Sequence, residues 1–402
     1  MKQYFIYFLI LATILSCSAV DRSPRPEIEA RIPDEGKIAE FDFEYVNNAI
    51  ILPVTINGET RKWFLDNGAV SSYIDSNYAA ELSFPLISQR PVVGIVNIEK
   101  AFEVLIPEYK IGQLAIQNVT AGCMNFDESF FKNFGENIYG VVGTDFLAEY
   151  IVRIDIANRK MTFFDPDKFV YHGNGQIFEH TAFFVVHFIK AIIDGVYEGA
   201  FMIDFGSSIF ALYNKYALDH EIDTGTGIAT HAQDAVGKID TKITGFNKLE
   251  IGDFQIDKPI VTIFNSGGGA SSLFNFAGDM GTPVLQNFVV YLDYKLGRLI
   301  FEKGNDFNRQ FPSGFFGLGL SYAEDYMYVE YVVDNSPAIW AGFKSGDIIR
   351  KFEGRTLSSL QDTRDMKETL KKGAGKTFTL TVERDGKLLD LELTPVDIYD
   401  LF

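Results

Sequence analysis

The sequence predicts a mainly β protein in which two copies of one β-rich unit precede a smaller domain of mixed α and β structure. Three observations support this fold class. The 402 residues include 37 Phe, 19 Tyr and 35 Gly but only 13 Pro, a mixture that favours strands joined by tight turns. A set of apolar strands and glycine turns recurs in the middle of the chain, and the hydrophobic pattern changes after Lys303. The sequence therefore indicates two related lobes and a third, unrelated domain.

The composition excludes several classes of protein. Apolar residues make up 47% of the chain and charged residues 22%, so a sizeable core can form. The formal net charge of −18 argues against a phosphate-binding surface, and we expect no nucleic-acid partner. Five His and two Cys are too few for a disulfide scaffold or a Cys-rich metal site, so we expect no metal and no other cofactor. Cys123 is expected to fill space in a core.

The N terminus has the features of an export signal. After a basic start, residues 4–15 are almost entirely apolar, and as a helix they would span about 18 Å, less than the ~30 Å core of a bilayer. Ile14-Leu15-Ser16-Cys17 resembles the bacterial lipobox, in which the cysteine is lipidated and becomes the new N terminus. We expect residues 1–17 to be a lipoprotein signal peptide, Cys17 to carry the lipid that anchors the chain in a membrane, and residues 18–40 to be a flexible tether. The protein would then be an exported bacterial lipoprotein that faces the periplasm or is anchored in the outer membrane; an ordinary signal peptide with an incidental Cys17 is the alternative.

The repeat is clearest around two glycines, Gly143 and Gly281, whose spacing equals that between Asp155 and Asp293. In each copy an apolar stretch ends in the glycine and a short helix follows, over residues 140–147 and 278–285. Two alternating strands around a turn come next in both copies. The constant spacing predicts two copies of one structural unit.

The same spacing relates two acidic turns. Asp66 follows an apolar strand, and one repeat length further along the chain Asp204 also follows one. Each acid is followed by a turn with glycine two residues on, and glycine suits a sharp turn that directs the carboxylate outward. The two turns are Asp66-Asn67-Gly68-Ala69 and Asp204-Phe205-Gly206-Ser207. Asp223 and Asp279 also begin Asp-x-Gly sequences, but Asp223 follows a polar stretch and Asp279 belongs to the glycine turn that ends at Gly281, so neither is assigned this role.

Paired carboxylates can hydrolyse an amide without a metal. Two carboxyl groups ~3 Å apart cannot both ionise, so they hold one proton between them. The ionised member can take a proton from a water that attacks the carbonyl, while the protonated member hydrogen-bonds the developing oxyanion. A lone Asp in a β-loop is usually a turn former, but two acids at the same repeat position favour this chemistry.

This arrangement resembles the pepsin/retropepsin family of aspartic peptidases, in its single-chain, two-lobe, bacterial lipoprotein form, over about residues 41–303. The resemblance implies two acid-protease-like β-barrel lobes related by pseudo-symmetry, residues 41–170 and 171–303, and an aspartic endopeptidase acting on protein or peptide substrates. It further implies a flap hairpin within Val92–Ile106. The site residues it implies are the catalytic Asp66 and Asp204, supported by Asn67, Gly68, Ala69, Phe205, Gly206, Ser207, Gly143 and Gly281.

Two departures from the family pattern keep a second function open. The family usually has Thr or Ser between Asp and Gly, and that hydroxyl hydrogen-bonds across to the opposite lobe. Asn67 and Phe205 stand there instead, and because Phe cannot donate, at least half of the cross-lobe network is expected to be missing. Asp279 also replaces an apolar residue. The alternative is therefore a catalytically inactive, peptide-binding envelope lipoprotein; a carbohydrate-binding envelope protein is a third possibility.

The chain after a polar connector, residues 304–313, has a different pattern. Strand, Ser-Pro-Ala helix, Gly-Asp-apolar-apolar, helix and hairpin follow in the order of a bacterial PDZ domain, which the sequence resembles over residues 313–396. The resemblance implies capture of a substrate or partner C terminus by backbone N–H groups of one glycine-containing loop. The loop residues are Phe316, Gly317, Leu318, Gly319 and Leu320. The alternative is that the glycines only shape the entry to a strand and the groove is occluded.

Overall fold

A computed structural model describes residues 34–93, 98–126, 137–179, 186–222, 227–234, 237–265, 271, 276–323 and 326–402. The expected signal peptide with Cys17, most of the expected tether and the Asp223 turn lie outside the described residues. Among the helices of the described part, none is long and apolar enough to cross a membrane.

The first part of the chain forms an eight-stranded sheet and contributes three strands to a second sheet. Its elements are β1 (Lys37–Asp42), β2 (Glu44–Val46), β3 (Ala49–Ile56), β4 (Glu59–Leu65), β5 (Tyr73–Asp75), α1 (Ser76–Glu81), β6 (Leu86–Val93), β7 (Ile98–Ile111), β8 (Leu114–Met124), β9 (Gly140–Val142), α2 (Thr144–Leu147), β10 (Ile151–Asp155) and β11 (Lys160–Phe164). The eight-stranded sheet has the order β2-β3-β4-β9-β5-β8-β7-β6. Strand β4 runs from exposed charged residues into the buried Trp63-Phe64-Leu65, so its carboxyl end lies in the core.

The second part repeats this plan in a nine-stranded sheet. Its elements are β12 (Gln176–Glu179), β13 (Phe188–Ile193), β14 (Tyr197–Ile203), β15 (Phe210–Leu212), α3 (Asn214–Asp219), β16 (Ile228–Asp234), β17 (Gly237–Gly245), β18 (Lys248–Ile251), β19 (Phe254–Asp257), β20 (Ile260–Phe264), β21 (Gly278–Met280), α4 (Thr282–Leu285), β22 (Phe288–Asp293) and β23 (Arg298–Lys303). The sheet order is β16-β17-β20-β15-β21-β14-β13-β18-β19.

Both sheets contain the same three-strand arrangement. Strand β9 lies between β4 and β5, parallel to the first and antiparallel to the second. Strand β21 lies in the same way between β14 and β15. Asp66 and Asp204 come directly after β4 and β14, so they leave their sheets at matching places.

A six-stranded sheet joins the two parts in the order β1-β11-β10-β22-β23-β12. Strands β10 and β22 pair antiparallel, with Ile154 opposite Val290. One buried apolar cluster includes Leu65 and Val142 from the first part together with Ile203 and Met280 from the second. The two parts therefore share a core.

Strand β1 includes residues 37–40, which the sequence analysis assigns to the flexible tether. They pair with β11, because Ala39 is buried and Phe41 stacks on Phe163 across the strands. Residues 18–40 contain three prolines, and this composition predicted a tether although apolar residues alternate with polar ones at the end of the segment, as in a strand.

The C-terminal domain has its own sheet and its own core. Its elements are β24 (Gly314–Phe315), β25 (Leu318–Tyr322), β26 (Met327–Val332), α5 (Pro337–Trp340), β27 (Ile348–Phe352), β28 (Arg355–Thr356), α6 (Leu360–Lys372), β29 (Phe378–Arg384), β30 (Lys387–Leu393), β31 (Val396–Asp397) and a 3₁₀ turn (Ile398–Leu401). The main sheet has the order β25-β26-β27-β29-β30, and α6 buries one face, including Met366 and Leu370, against it. The domain contacts the rest of the protein through Thr230, whose hydroxyl lies 3.1 Å from that of Tyr331.

Candidate active site

The acids of the two repeated turns are anchored in the same way. The N–H of Asp66 donates to the carbonyl of Val142 in β9 (3.0 Å), and the N–H of Asp204 donates to that of Met280 in β21 (3.2 Å). Each acid is therefore held at the end of one strand by its parallel neighbour. The local sequence favours this because the apolar strands β4 and β14 end in the core beside their parallel neighbours β9 and β21.

The two carboxyl groups meet around Gly68. A methyl group at position 68 would lie 3.1 Å from Oδ2 of Asp204 and 3.1 Å from Oδ1 of Asp66. The two oxygens are therefore no farther apart than twice that distance, a gap that one water molecule can bridge. Likewise, a methyl group at Gly206 would lie 2.4 Å from Oδ1 of Asp66. A side chain at Gly206 would collide with the carboxyl group of the opposite turn, and one at Gly68 would be in tight contact with both carboxyl groups.

Backbone donors orient both acids. Oδ1 of Asp66 accepts the N–H groups of Gly68 (2.8 Å) and Ala69 (3.0 Å), and Oδ1 of Asp204 accepts the N–H of Gly206 (2.7 Å). Of the other predicted support residues, Ser207 donates its N–H to the carbonyl of Asp204 at 3.3 Å. These bonds use Oδ1 of each carboxyl group, and Oδ2 of Asp204 is the oxygen that lies next to Gly68.

The two carboxyls differ in environment. Burial raises the pKa of Asp66, while the two backbone N–H donors on this half-buried carboxyl counteract the increase. Burial also raises the pKa of Asp204, well above its usual range, and negative charge on Asp66 and Asp279 raises it further. This asymmetry favours charge on Asp66 and a proton on Asp204.

Asn67 connects the two turns. Its Nδ2 donates to the carbonyl of Ile203 (2.7 Å), and its Oδ1 accepts the N–H of Phe205 (2.6 Å). The side chain of Phe205 has no polar atom, as expected, so the connection comes from the first turn alone, where the amide of Asn67 carries both a donor and an acceptor. Phe205 is completely buried in the shared core and contributes packing.

The glycines Gly143 and Gly281 pack closely against backbone at or just after the two acidic turns. A methyl group at Gly143 would lie 2.4 Å from the carbonyl carbon of Ser71, and one at Gly281 would lie 2.1 Å from the carbonyl oxygen of Ile209. Only glycine permits this backbone approach.

The residues that follow these glycines also belong to the site, and the sequence analysis missed them. Thr144 donates its hydroxyl to the carbonyl of Asn67 (2.9 Å), and Thr282 donates to those of Asn48 (2.6 Å) and Ser207 (3.1 Å). Both threonines are buried. They are separated by the same spacing as Asp66 and Asp204, and this was the signal that could have found them.

Asp279 lies close to the pair although its own turn is not a catalytic one. It is completely buried in β21, and the hydroxyl of Tyr213 donates to its Oδ1. Burial raises its pKa to about 7, the bond from Tyr213 counteracts this, and negative charge on Asp66 adds to the increase. In the sequence, Asp279 stands out only as a departure from an apolar pattern and as the start of a further Asp-x-Gly sequence.

A long hairpin formed by β6 and β7 stands where the flap is expected. The interval Val92–Ile106 covers the end of β6 and part of β7, and residues 94–97 between them lie outside the described residues. In the second part, β16 and β17 form another hairpin.

Only Phe316 and Gly317 of the predicted peptide-binding loop precede β25; Leu318, Gly319 and Leu320 are the first three residues of this strand, which lies at the edge of its sheet. Gly317 has a φ of +80°, and a methyl group there would lie 2.2 Å from Oγ of Ser336, so only glycine fits. A methyl group at Gly319 would lie 2.1 Å from the ring of Tyr331. Leu318 is buried, whereas Phe316, Gly319 and Leu320 are half-buried.

The edge strand β25 faces helix α6. The hydroxyls of Tyr322 and Thr363 lie 2.8 Å apart, and Nζ of Lys367 lies 4.9 Å from the centre of the Tyr322 ring. The carbonyls of Phe316 and Gly317 accept N–H groups from within the domain, at 3.0 and 2.9 Å. The loop is thereby fixed before any ligand binds.

Comparison with known proteins finds two kinds of domain in this chain. Residues 52–146 and 189–282 match the family model described as aspartyl protease, and residues 314–394 match the model described as PDZ domain. A curated relative from Haemophilus influenzae, named as a probable periplasmic serine protease do/HhoA-like, is 32% identical over 128 residues, which are 32% of this chain and 26% of that protein. The chain thus matches about a quarter of the length of that relative. Within the described residues, no group of three or more His, Cys, Asp or Glu has the geometry to hold a metal ion.

Proposed function

We propose that this chain, which carries an aspartyl protease domain in two segments and a C-terminal PDZ domain, is an aspartic endopeptidase that uses Asp66 and Asp204. One observation carries the proposal: the two carboxyl groups meet around Gly68 within the reach of a single water molecule. Their unequal environments supply the two protonation states that the reaction needs.

The chemistry follows from those states. The carboxylate of Asp66 takes a proton from the bridging water as the water oxygen attacks the carbonyl carbon of a peptide bond. The proton on Asp204 hydrogen-bonds the carbonyl oxygen and passes to it as the tetrahedral intermediate forms, which neutralises the developing negative charge. When the carbon–nitrogen bond breaks, the proton held by Asp66 passes to the leaving amine, and the former carbonyl oxygen returns its proton to Asp204. An acid and an amine are released and both carboxyls regain their starting state.

The site has the rigidity that this chemistry requires. Asn67 ties the second turn to the first through hydrogen bonds of 2.7 and 2.6 Å, and Phe205 packs its ring into the core. Such a site costs no reorganisation when charge develops on the substrate. The two turns are therefore connected through Asn67, although the side chain of Phe205 adds no hydrogen bond.

The test compares the full chain with Asp66→Asn and Asp204→Asn on a peptide library between pH 3 and pH 8. Asp253→Asn, at an exposed turn, is the matched control. We expect each active-site variant to lose at least about a thousandfold in kcat/KM because one proton-transfer partner is missing, while the control retains activity. Cleavage that survives in both variants but is abolished by a serine-directed sulfonyl fluoride would refute the proposal and support serine chemistry. An inactive parent would favour the peptide-binding lipoprotein.

We further propose that the PDZ domain holds the C terminus of a protein substrate or partner. The peptide would add a strand to the edge of β25, and its carboxylate would meet the loop that contains Gly317 and Gly319. The test is fluorescence anisotropy with a library of labelled peptides, each made with a free and with an amidated C terminus. Preference for the free carboxylate supports the proposal. Equal binding of the two forms contradicts recognition of the carboxylate, and absent binding supports an occluded groove.

The location of the protein is a separate proposal. The chain is an exported lipoprotein, tethered through Cys17 and facing the periplasm or held at the outer membrane; the periplasmic name of the Haemophilus relative is consistent with this location. Radiolabelled palmitate should be incorporated into the parent and not into Cys17→Ser. Equal labelling of the parent and Cys17→Ser, or no labelling of either protein, would support an ordinary signal peptide with an incidental Cys17.

A further inference from the structure

Asp279 occupies a position that is apolar in the first copy of the repeat. Its counterpart in that copy is Val141, which packs in an apolar cluster with Phe64. In the second copy, the neighbours of Asp279 across the sheet are Met202 in β14 and Ala211 in β15. Strands β9 and β21 are equivalent in the two copies, so the two copies differ at this position in having Val141 in the first and the carboxyl group of Asp279 in the second.

The carboxyl group of Asp279 is only partly satisfied. Oδ1 accepts the hydroxyl of Tyr213, while Oδ2 is buried and has no hydrogen-bond partner among the described residues. A buried oxygen without a partner is costly when it carries charge, so a proton on the group resides at Oδ2.

Three titratable groups face Asp279 from the surrounding elements. They are Asp204 at the end of β14, Tyr213 at the end of β15, and Asp66 at the end of β4. Two are the carboxyls of the candidate pair, so the site contains three buried or half-buried acids that repel one another when ionised.

We propose that Asp279 is a positioning residue of the catalytic pair: it takes the second negative charge of the site and thereby keeps the catalytic proton on Asp204. This inference rests on the proposed function. Asp66 is charged first, because it is the most exposed of the three and has two N–H donors. Asp279 titrates next, with a pKa of about 7, and its carboxylate then raises the pKa of Asp204. The pair thus keeps its single proton to a higher pH than it would alone.

The first test is the pH profile of kcat/KM for Asp279→Asn. The amide keeps an acceptor for Tyr213 and removes the charge. We expect the alkaline limb to move to lower pH by about one unit, which is about tenfold in kcat/KM at a given pH on that limb, with the acid limb unchanged. A residue that only fills space would not move this limb. Asp253→Asn is again the matched control.

A second variant guards against misfolding. Asp279→Val combined with Tyr213→Phe restores the apolar character of the Val141 position and leaves no buried hydroxyl unpaired. It should show the same alkaline shift. If either folded variant keeps the alkaline limb of the parent, the proposal is overturned.

A readout that needs no activity separates this inference from the proposed function. The ¹³C shift of the Asp204 carboxyl, followed by NMR from pH 4 to pH 10, should titrate at lower pH in Asp279→Asn than in the parent. If Asp66→Asn proves fully active, the proposed mechanism fails, and this titration still decides whether Asp279 holds the proton on Asp204. An unchanged titration of Asp204 overturns the inference.

Discussion

Replacement of Asn67 by alanine tests whether one side chain carries the connection between the two acidic turns. Asn67 is completely buried and makes both of its cross-turn bonds to backbone groups, the carbonyl of Ile203 and the N–H of Phe205. Alanine would leave both groups buried without a partner.

The magnitude follows from the two orphaned groups. A buried donor or acceptor that loses its partner costs about 1–3 kcal/mol, so Asn67→Ala should lower the free energy of unfolding by roughly 2–6 kcal/mol. Because the orphaned groups flank Asp204, the turn that carries this acid should also lose its orientation, with at least about a tenfold loss in kcat/KM.

Asn287 offers a matched control. It is also buried, its Nδ2 donates to the carbonyl of Val284 (2.9 Å) and its Oδ1 accepts the N–H of Arg309 (3.2 Å). Urea denaturation should show a comparable loss of stability for Asn67→Ala and Asn287→Ala, whereas only Asn67→Ala should lose activity at a temperature where both are folded. An Asn67→Ala protein within about 0.5 kcal/mol of the parent and fully active would refute the reasoning.

Three further changes have defined outcomes. Burial raises the pKa of Asp279 from 3.8 to about 7, so the free energy of unfolding should decrease as the pH rises through this interval, by at most roughly 4 kcal/mol. Urea denaturation at several pH values should show a smaller decrease for Asp279→Asn than for the parent. Gly317→Val should abolish binding of C-terminal peptides, measured by anisotropy, without loss of cleavage of short peptides, since its side chain would collide with the start of α5. Arg384→Leu should destabilise the C-terminal domain by about 3–5 kcal/mol in thermal unfolding, because it leaves the buried carboxylate of Asp347 without its cation; a change below about 1 kcal/mol would contradict this.

The C-terminal domain is an example of a fold that local sequence patterns are sufficient to predict. The mainly β fold and the PDZ domain were predicted correctly from the order of strands, turns and helices, and each of those signals lies within a few residues. The turn at Asp385-Gly386 is one example: both residues have positive φ, 51° and 71°, as a two-residue hairpin turn requires.

The repeat spacing predicts relations between residues far apart in the sequence, because it identifies equivalent positions in the two copies without information about their contacts. It selected Asp66 and Asp204 among five Asp-x-Gly sequences, and it pointed to Gly143 and Gly281 as supports. Equivalence in sequence, however, does not state which side chains reach across from one copy to the other.

Those contacts were decided by the tertiary structure. The sequence by itself determined two equivalent acidic turns and a separate domain, since periodicity and turn chemistry are properties of neighbouring residues. Only the folded chain shows that Asn67 donates to one backbone group of the opposite turn and accepts from another, and that Asp279 lies within electrostatic range of both acids. The physical reason is that a hydrogen bond or a charge interaction depends on distances of a few ångströms between residues that are far apart in the sequence, and these distances exist only once the core has brought the strands together.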